Sequence, residues 1–86
     1  MGKLFQVNIL TPEKKVFAGE VTSLVVPAAL GYLGILADHA PLIANLTAGK
    51  IIFKKEAGTQ AVIYNKGKGF LEVLKNKVTL LLDSVV

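Results

Sequence analysis

Residues 50–82 read KIIFKKEAGTQAVIYNKGKGFLEVLKNKVTLLL. Three short runs of β-branched, aromatic and aliphatic residues stand out: Lys50 to Glu56, Gln60 to Asn65 and Phe70 to Leu74. Turn chemistry separates them at Ala57-Gly58-Thr59 and at Lys66-Gly67-Lys68-Gly69, and Lys75-Asn76-Lys77 closes a last hairpin onto Val78 to Leu82. None of these runs holds a helical period, so each reads as a strand. The same grammar extends upstream. Leu42 to Leu46 is brief and apolar before the turn Thr47-Ala48-Gly49, and Phe5, Val7 and Ile9 alternate with Gln6 and Asn8 in a strand from Lys3 to Leu10. Thr11 to Lys15 then forms a turn with Pro12 at its second position. Val16 to Val26 reads as a strand in which Gly19 marks a bulge or break, and Pro27, having no N–H, ends it. The stretch Ala28 to Pro41, with Gly31, Gly34 and Pro41, fits short strand pieces and tight turns. Turn signals about every 8 to 12 residues argue for an all-β sandwich or flattened barrel.

At 86 residues the chain is long enough for one hydrophobic core, and we read residues 1–86 as a single domain. The composition, 52% apolar and 19% charged, excludes disorder and leaves more apolar surface than so small a core hides. The net charge is +4, yet all ten basic residues are lysine, so the bidentate fork that reads phosphates and guanines is missing. Between Glu20 and Lys50 the only formal charge is Asp38. This neutral third contains Thr22, Ser23, Pro27, Gly31 and Gly34, which do not suit a membrane-spanning helix. Met1 to Lys3 is followed by mixed polar and apolar residues, without the apolar core of a secretory leader. With no cysteine, disulfides and thiol chemistry are excluded.

Chemistry-bearing residues are sparse. His39 follows Asp38 directly, and adjacent side chains in extended structure point opposite ways, which does not make a metal site of three or four ligands. A loop histidine that bonds neighbouring backbone is the plainer reading. Ser23 and Ser84 lack a strained elbow, a base and an orienter. Gly31-Tyr32-Leu33-Gly34 has the spacing of a nucleic-acid clamping loop but no lysine beside it, and Lys66-Gly67-Lys68-Gly69 lacks the spacing of a phosphate cradle. Of the aromatic residues, Phe5, Phe17, Phe53, Tyr64 and Phe70 fall within or beside strand patterns and read mostly as core. Tyr32 is then the loop aromatic. No catalytic residue, metal or cofactor is expected.

Val26-Pro27 followed by Gly31-Tyr32-Leu33-Gly34-Ile35-Leu36-Ala37-Asp38-His39-Ala40-Pro41-Leu42 closely resembles the epsilon subunit of F-type ATP synthases. Further segments agree in order and spacing. Thr11-Pro12-Glu13 with Val16 to Val21 looks like that family's first hairpin, and Leu46-Thr47-Ala48-Gly49 like a turn that follows the motif. Gly69 to Val73 with Asn76 to Asp83 looks like the closing hairpin. Ala28-Ala29-Leu30, Ala37, Ala48 and Lys68 depart from the usual residues, and Ala28-Ala29-Leu30 with Ala37 makes the loop more apolar than in most members. Members of this family typically continue past the position of Val86 into a helical hairpin that inhibits ATP hydrolysis and in some binds ATP. Residues 1–86 are therefore expected to carry neither role.

The resemblance implies a ten-stranded β-sandwich in the central stalk, bound to the foot of the gamma subunit and resting on the ring of c subunits. It implies a non-catalytic rotor subunit that couples ion translocation to ATP synthesis. Contact with the membrane would be only through the ring, on the cytoplasmic face of a bacterial inner membrane or the equivalent side of an organelle membrane. We assign Ala29, Leu30, Gly31 and Tyr32 to the ring, and His39, Ala40, Leu42, Ile43 and Ala44 to gamma. Two other classes share a small, lysine-bearing β-fold, a biotinyl or lipoyl carrier and a single-stranded nucleic-acid binder. The first lacks its Met-Lys-Met or Asp-Lys hairpin tip. The second would need loop aromatics among the lysines, so no nucleic-acid partner is expected; the resemblance, which puts ATP binding in the helical hairpin, implies no ATP binding by these residues.

Overall fold

Alternation of side chains sets the strand faces, and the turns between them set the order. The computed structural model describes residues 2–86; Met1, part of the stretch read for a leader, lies outside the described residues. Eight strands are found among them: β1 (Phe5–Leu10), β2 (Lys15–Ala28), β3 (Gly31–Ile35), β4 (Leu42–Leu46), β5 (Gly49–Lys55), β6 (Gln60–Asn65), β7 (Gly69–Leu74) and β8 (Lys77–Leu82). One layer runs β1-β8-β7-β4, with β1 and β8 parallel and the other pairs antiparallel. The second is built on β2, with β3 and then β5 and β6 attached antiparallel.

The strand β2 serves both layers. Its first half pairs with β1 from Lys15 to Val21, and its second half pairs with β5 and β3. The register shifts between Val21 and Ser23, where an extra residue is accommodated. That bulge re-phases the strand: Val21 is buried, and the next buried positions are Leu24 and Val26, so the apolar set moves from odd to even positions without leaving the core. At the opposite end the layers meet at one residue pair, Ala28 with Leu46. Between them lie Val7, Ile9, Leu71 and Leu80 from one side and Leu24, Val26, Ile51 and Phe53 from the other, all buried. Each such side chain contributes about 1.5–3 kcal/mol relative to exposure.

The strand count corrects the expected ten. Gly19 and Gly34 are ladder residues, paired with Val7 and Val25, and neither breaks its strand. At Gly19 the ring of Phe17 covers the bare Cα, its nearest atom 3.0 Å from where a Cβ would stand. Nor does Pro27 end β2. It lies opposite Tyr32, one residue from the hairpin tip, and its carbonyl accepts the Thr47 N–H at 2.8 Å. So close to a strand end the ladder loses a single donor. Tyr32 therefore belongs to a strand and not to a loop. Tyr64 and Phe70, read as core, occupy the outward phase of β6 and β7 and are exposed, because Ile63 and Leu71 take the inward positions beside them. No helix of the described residues is long and apolar enough to cross a membrane.

Candidate functional site

Ala28 and Gly31 are the last paired residues of the β2–β3 hairpin, which leaves Ala29 and Leu30 as a two-residue tip. Gly31 has φ 130°, a conformation that a side chain would resist, and it lets the chain reverse this tightly. Leu30 has no neighbour to bury it and is fully exposed, at 103%. An isobutyl group held into water at a hairpin tip contributes nothing to this fold. Tyr32 is 60% exposed, but its hydroxyl accepts a hydrogen bond from the Lys50 amide at 3.1 Å. This contact depends on Gly49: a Cβ there would stand 2.9 Å from the Tyr32 hydroxyl and 2.8 Å from the Pro27 Cβ. The hairpin is thus pinned to the start of β5, and its tip is presented on a stiff base.

The second segment singled out in the sequence runs from His39 into β4. The His39 ring is half-buried and its Nδ1 lies 2.8 Å from the Ala40 carbonyl, the local backbone bond expected of a loop histidine. Along β4 the alternation divides the assigned residues. Ile43 points outward and is 65% exposed, whereas Leu42 and Ala44 are partly buried and pack against the core. A partner lying on the face of this sheet would therefore meet Ile43, not its two neighbours. Just before β4, Asp38 adopts φ 64° and is held by Asn76 and Lys3. The Asn76 amide first, and then the Lys3 ammonium, holds the Asp38 carboxyl below its ordinary range.

The fold brings the hairpin tip against β4 at Ala44 and Asn45. The second half of β2, with β3, diverges from β4 beyond the Ala28–Leu46 pair, and a shallow apolar notch opens between them. The β2–β3 hairpin forms one wall and Ala44 with Asn45 the other. Ala29, Leu30, Gly31 and Tyr32 are consequently contiguous with β4, and form one edge of the molecule. All ten lysines are exposed; Lys50 touches the hairpin through its amide, and Lys3 reaches Asp38, next to His39.

One apolar area escaped the sequence reading. Phe70, Leu81 and Leu10 are neighbours across β7, β8 and β1, and with Pro12 they line a groove on the outward face of that layer. The signal was present. In β7, Leu71 and Val73 are the inward pair, so Phe70 must face out, and Leu81 does the same between Leu80 and Leu82. Asn65 was missed as well. It is the one buried polar side chain among the described residues, at 2% exposure, and it sits in the inward phase of β6.

Comparison with known proteins agrees with this fold. Residues 4–86 match the family described as ATP synthase, Delta/Epsilon chain, beta-sandwich domain. The ATP synthase epsilon chain of Dichelobacter nodosus is 43% identical over 83 residues, covering 96% of this chain and 57% of that one. Its counterpart from Pelotomaculum thermopropionicum is 42% identical over 82 residues, covering 95% and 60%. The chain thus spans somewhat over half the length of these curated relatives. Among solved structures, a chain of the Euglena gracilis mitochondrial ATP synthase, determined with OSCP, F1 and c-ring, has the same fold. Its TM-score is 0.90 at 18% identity, over 96% of this chain and 52% of that one. A chain from the central stalk and c-ring of the Tetrahymena thermophila mitochondrial ATP synthase gives 0.79 at 12% identity, over 99% and 67%. The motif from Gly31 to Leu42, the two-layer fold and the match over residues 4–86 agree, and the chain belongs to the family of ATP synthase delta/epsilon-chain beta-sandwich domains.

Proposed function

We propose that this chain is a non-catalytic rotor component of an F-type ATP synthase, joining the gamma subunit to the c-ring. The observation that carries the reading is the apolar edge on which the hairpin tip, residues 29–32, meets β4, the strand that residues 39–41 lead into, at Ala44. It bears no formal charge, it ends in a fully exposed Leu30, and it is stiffened by the Tyr32 bond to Lys50. Ala29, Leu30, Gly31 and Tyr32 meet the polar loops of the ring, where the hairpin tip allows close approach and the tyrosine supplies a rigid amphipathic contact. His39, Ala40, Leu42, Ile43 and Ala44 face gamma. Ile43 makes the direct contact, and the partly buried Leu42 and Ala44 shape the strand beneath it.

The mechanism is mechanical. A two-layer sheet core resists shear, so a body docked to both stalk and ring turns with them and transmits torque without chemistry of its own. A contact of about 800 Å² on each partner suffices for stable association. The domain needs no cofactor and binds no ATP in this role. Its place is peripheral, on the cytoplasmic face of a bacterial inner membrane or the equivalent side of an organelle membrane, reaching the membrane through the ring alone. The names of the curated relatives and the assemblies that contain the similar solved chains support this reading.

Co-purification with gamma and the c-ring tests it. Leu30→Asp should prevent stable association with the ring while leaving gamma bound, and Ile43→Asp should do the reverse. Both side chains are exposed, so neither substitution disturbs the core. Unchanged assembly by both variants would refute the assignment.

A further inference from the structure

Residues 36–41 leave β3, pass His39 and enter β4, and their polar attachment to the rest of the fold is narrow. Among the described residues, every hydrogen bond from this loop to another part of the chain is made by Asp38. Asn76 supplies two of them. The Asp38 amide donates to Asn76 Oδ1, and Asn76 Nδ2 donates to Asp38 Oδ1 at 2.9 Å. The side-chain amide of Asn76 thus uses its donor and its acceptor on one residue, a reciprocal clasp that fixes both backbone and carboxylate of Asp38.

Asn76 is itself immobilised. Lys75 and Asn76 have φ 49° and 60°, the pair of left-handed conformations that makes a two-residue hairpin turn between β7 and β8. The Asn76 carbonyl also accepts the Gln6 amide at 2.9 Å, which ties the turn to β1. Lys3 Nζ reaches Asp38 Oδ2 at 2.9 Å, but both side chains are well exposed, and such a pair contributes little. The clasp therefore joins the loop to the β7–β8 hairpin, whose β7 is also the ladder partner of β4.

We infer that Asn76 is a positioning residue for the gamma-facing segment: by holding Asp38 in its left-handed conformation it fixes the path of residues 39–44 before gamma arrives. This rests on the gamma-facing assignment proposed above. Asn76 has no need to touch gamma for the effect. Freed from the clasp, the loop would have to be ordered on binding, and the association would weaken by that amount.

The test measures gamma binding by the full chain carrying Asn76→Gly, Asp38→Asn or Ile43→Asp. Glycine accepts the turn conformation of residue 76 and removes only the side-chain amide, while Asp38→Asn keeps an acceptor for Asn76 Nδ2 and loses the charge. Asn76→Gly should bind gamma about tenfold more weakly, the factor that ordering one backbone residue on binding corresponds to. Amide exchange at residue 38 should quicken and the thermal midpoint stay nearly unchanged. Asp38→Asn should bind within about twofold of the parent chain, since the exposed ion pair it loses is weak. If Ile43→Asp abolishes binding while Asn76→Gly binds as the parent does, the positioning role is overturned and the docking assignment stands. If Ile43→Asp also binds as the parent does, the docking assignment fails and the positioning role fails with it. Should Asn76→Gly lose its fold, Asp38→Gly breaks the carboxylate half of the clasp without touching the hairpin, and undiminished gamma binding by that variant would equally overturn the role.

Discussion

Asn65 occupies an inward position of β6 where alternation asks for an apolar side chain, and its amide fastens two turns instead. Nδ2 donates to the Thr47 carbonyl at 2.9 Å and to the Gly67 carbonyl at 2.8 Å, while Oδ1 accepts the Gly67 amide. Asn65→Ala leaves those turn groups without partners and should cost about 2 kcal/mol, measured by urea unfolding. Asp38 behaves differently because it faces water. Its pKa should fall below the ordinary 3.8 in a carbon-detected NMR titration, and Asn76→Gly should raise it. The sign follows from linkage: a depressed folded-state pKa means that the stabilisation is present above the ordinary value. It is lost as pH falls through the lower folded-state value. Of these two residues, a strand-phase reading could have found Asn65, because it is polar at an inward position. The clasp on Asp38 is invisible in sequence, since its partner lies in another hairpin.

Turns decide how the strands meet, and the Gly49 turn is where β5 starts beside the β2–β3 hairpin. Gly49→Ala would place a Cβ within 3 Å of both Pro27 and the Tyr32 hydroxyl, so the Tyr32 bond to Lys50 must break or β5 must shift. A loss of about 1–3 kcal/mol is expected, with an unchanged dependence of stability on urea concentration. The hairpins β5–β6 and β7–β8 were legible because their turns are local and their strands alternate without interruption. The strand β2 was less so. Its bulge near Thr22 re-phases the apolar residues by one, and only pairing with β1 on one side and β5 on the other reveals that Val21 and Leu24 share a core. The same locality explains the strand count: Gly19, Pro27 and Gly34 carry the signals of breaks, but partners distant in sequence keep them in ladders. The hairpin tip at Leu30 was legible from its residues, whereas the contact of that tip with β4 was not. It depends on where the two layers separate.

The whole molecule is two sheets sharing one strand; the neutral third supplies the core half of β2 as well as the β2–β3 hairpin and β4, and the lysines are all exposed. That arrangement answers the surplus of apolar residues in a chain of 86: part of the surplus lines the notch between the hairpin and β4, and part lies in the groove around Phe70. A domain of this size has about 5 to 10 kcal/mol of stability alone, enough to hold its shape before any partner arrives. Docking should then protect the edge without remodelling the sheets. Hydrogen exchange of residues 28–46, followed for the free chain and for the chain bound to gamma and the ring, reads this directly. Marked slowing confined to that region on complex formation is the expected result, and equal exchange in the two states would contradict docking through this edge.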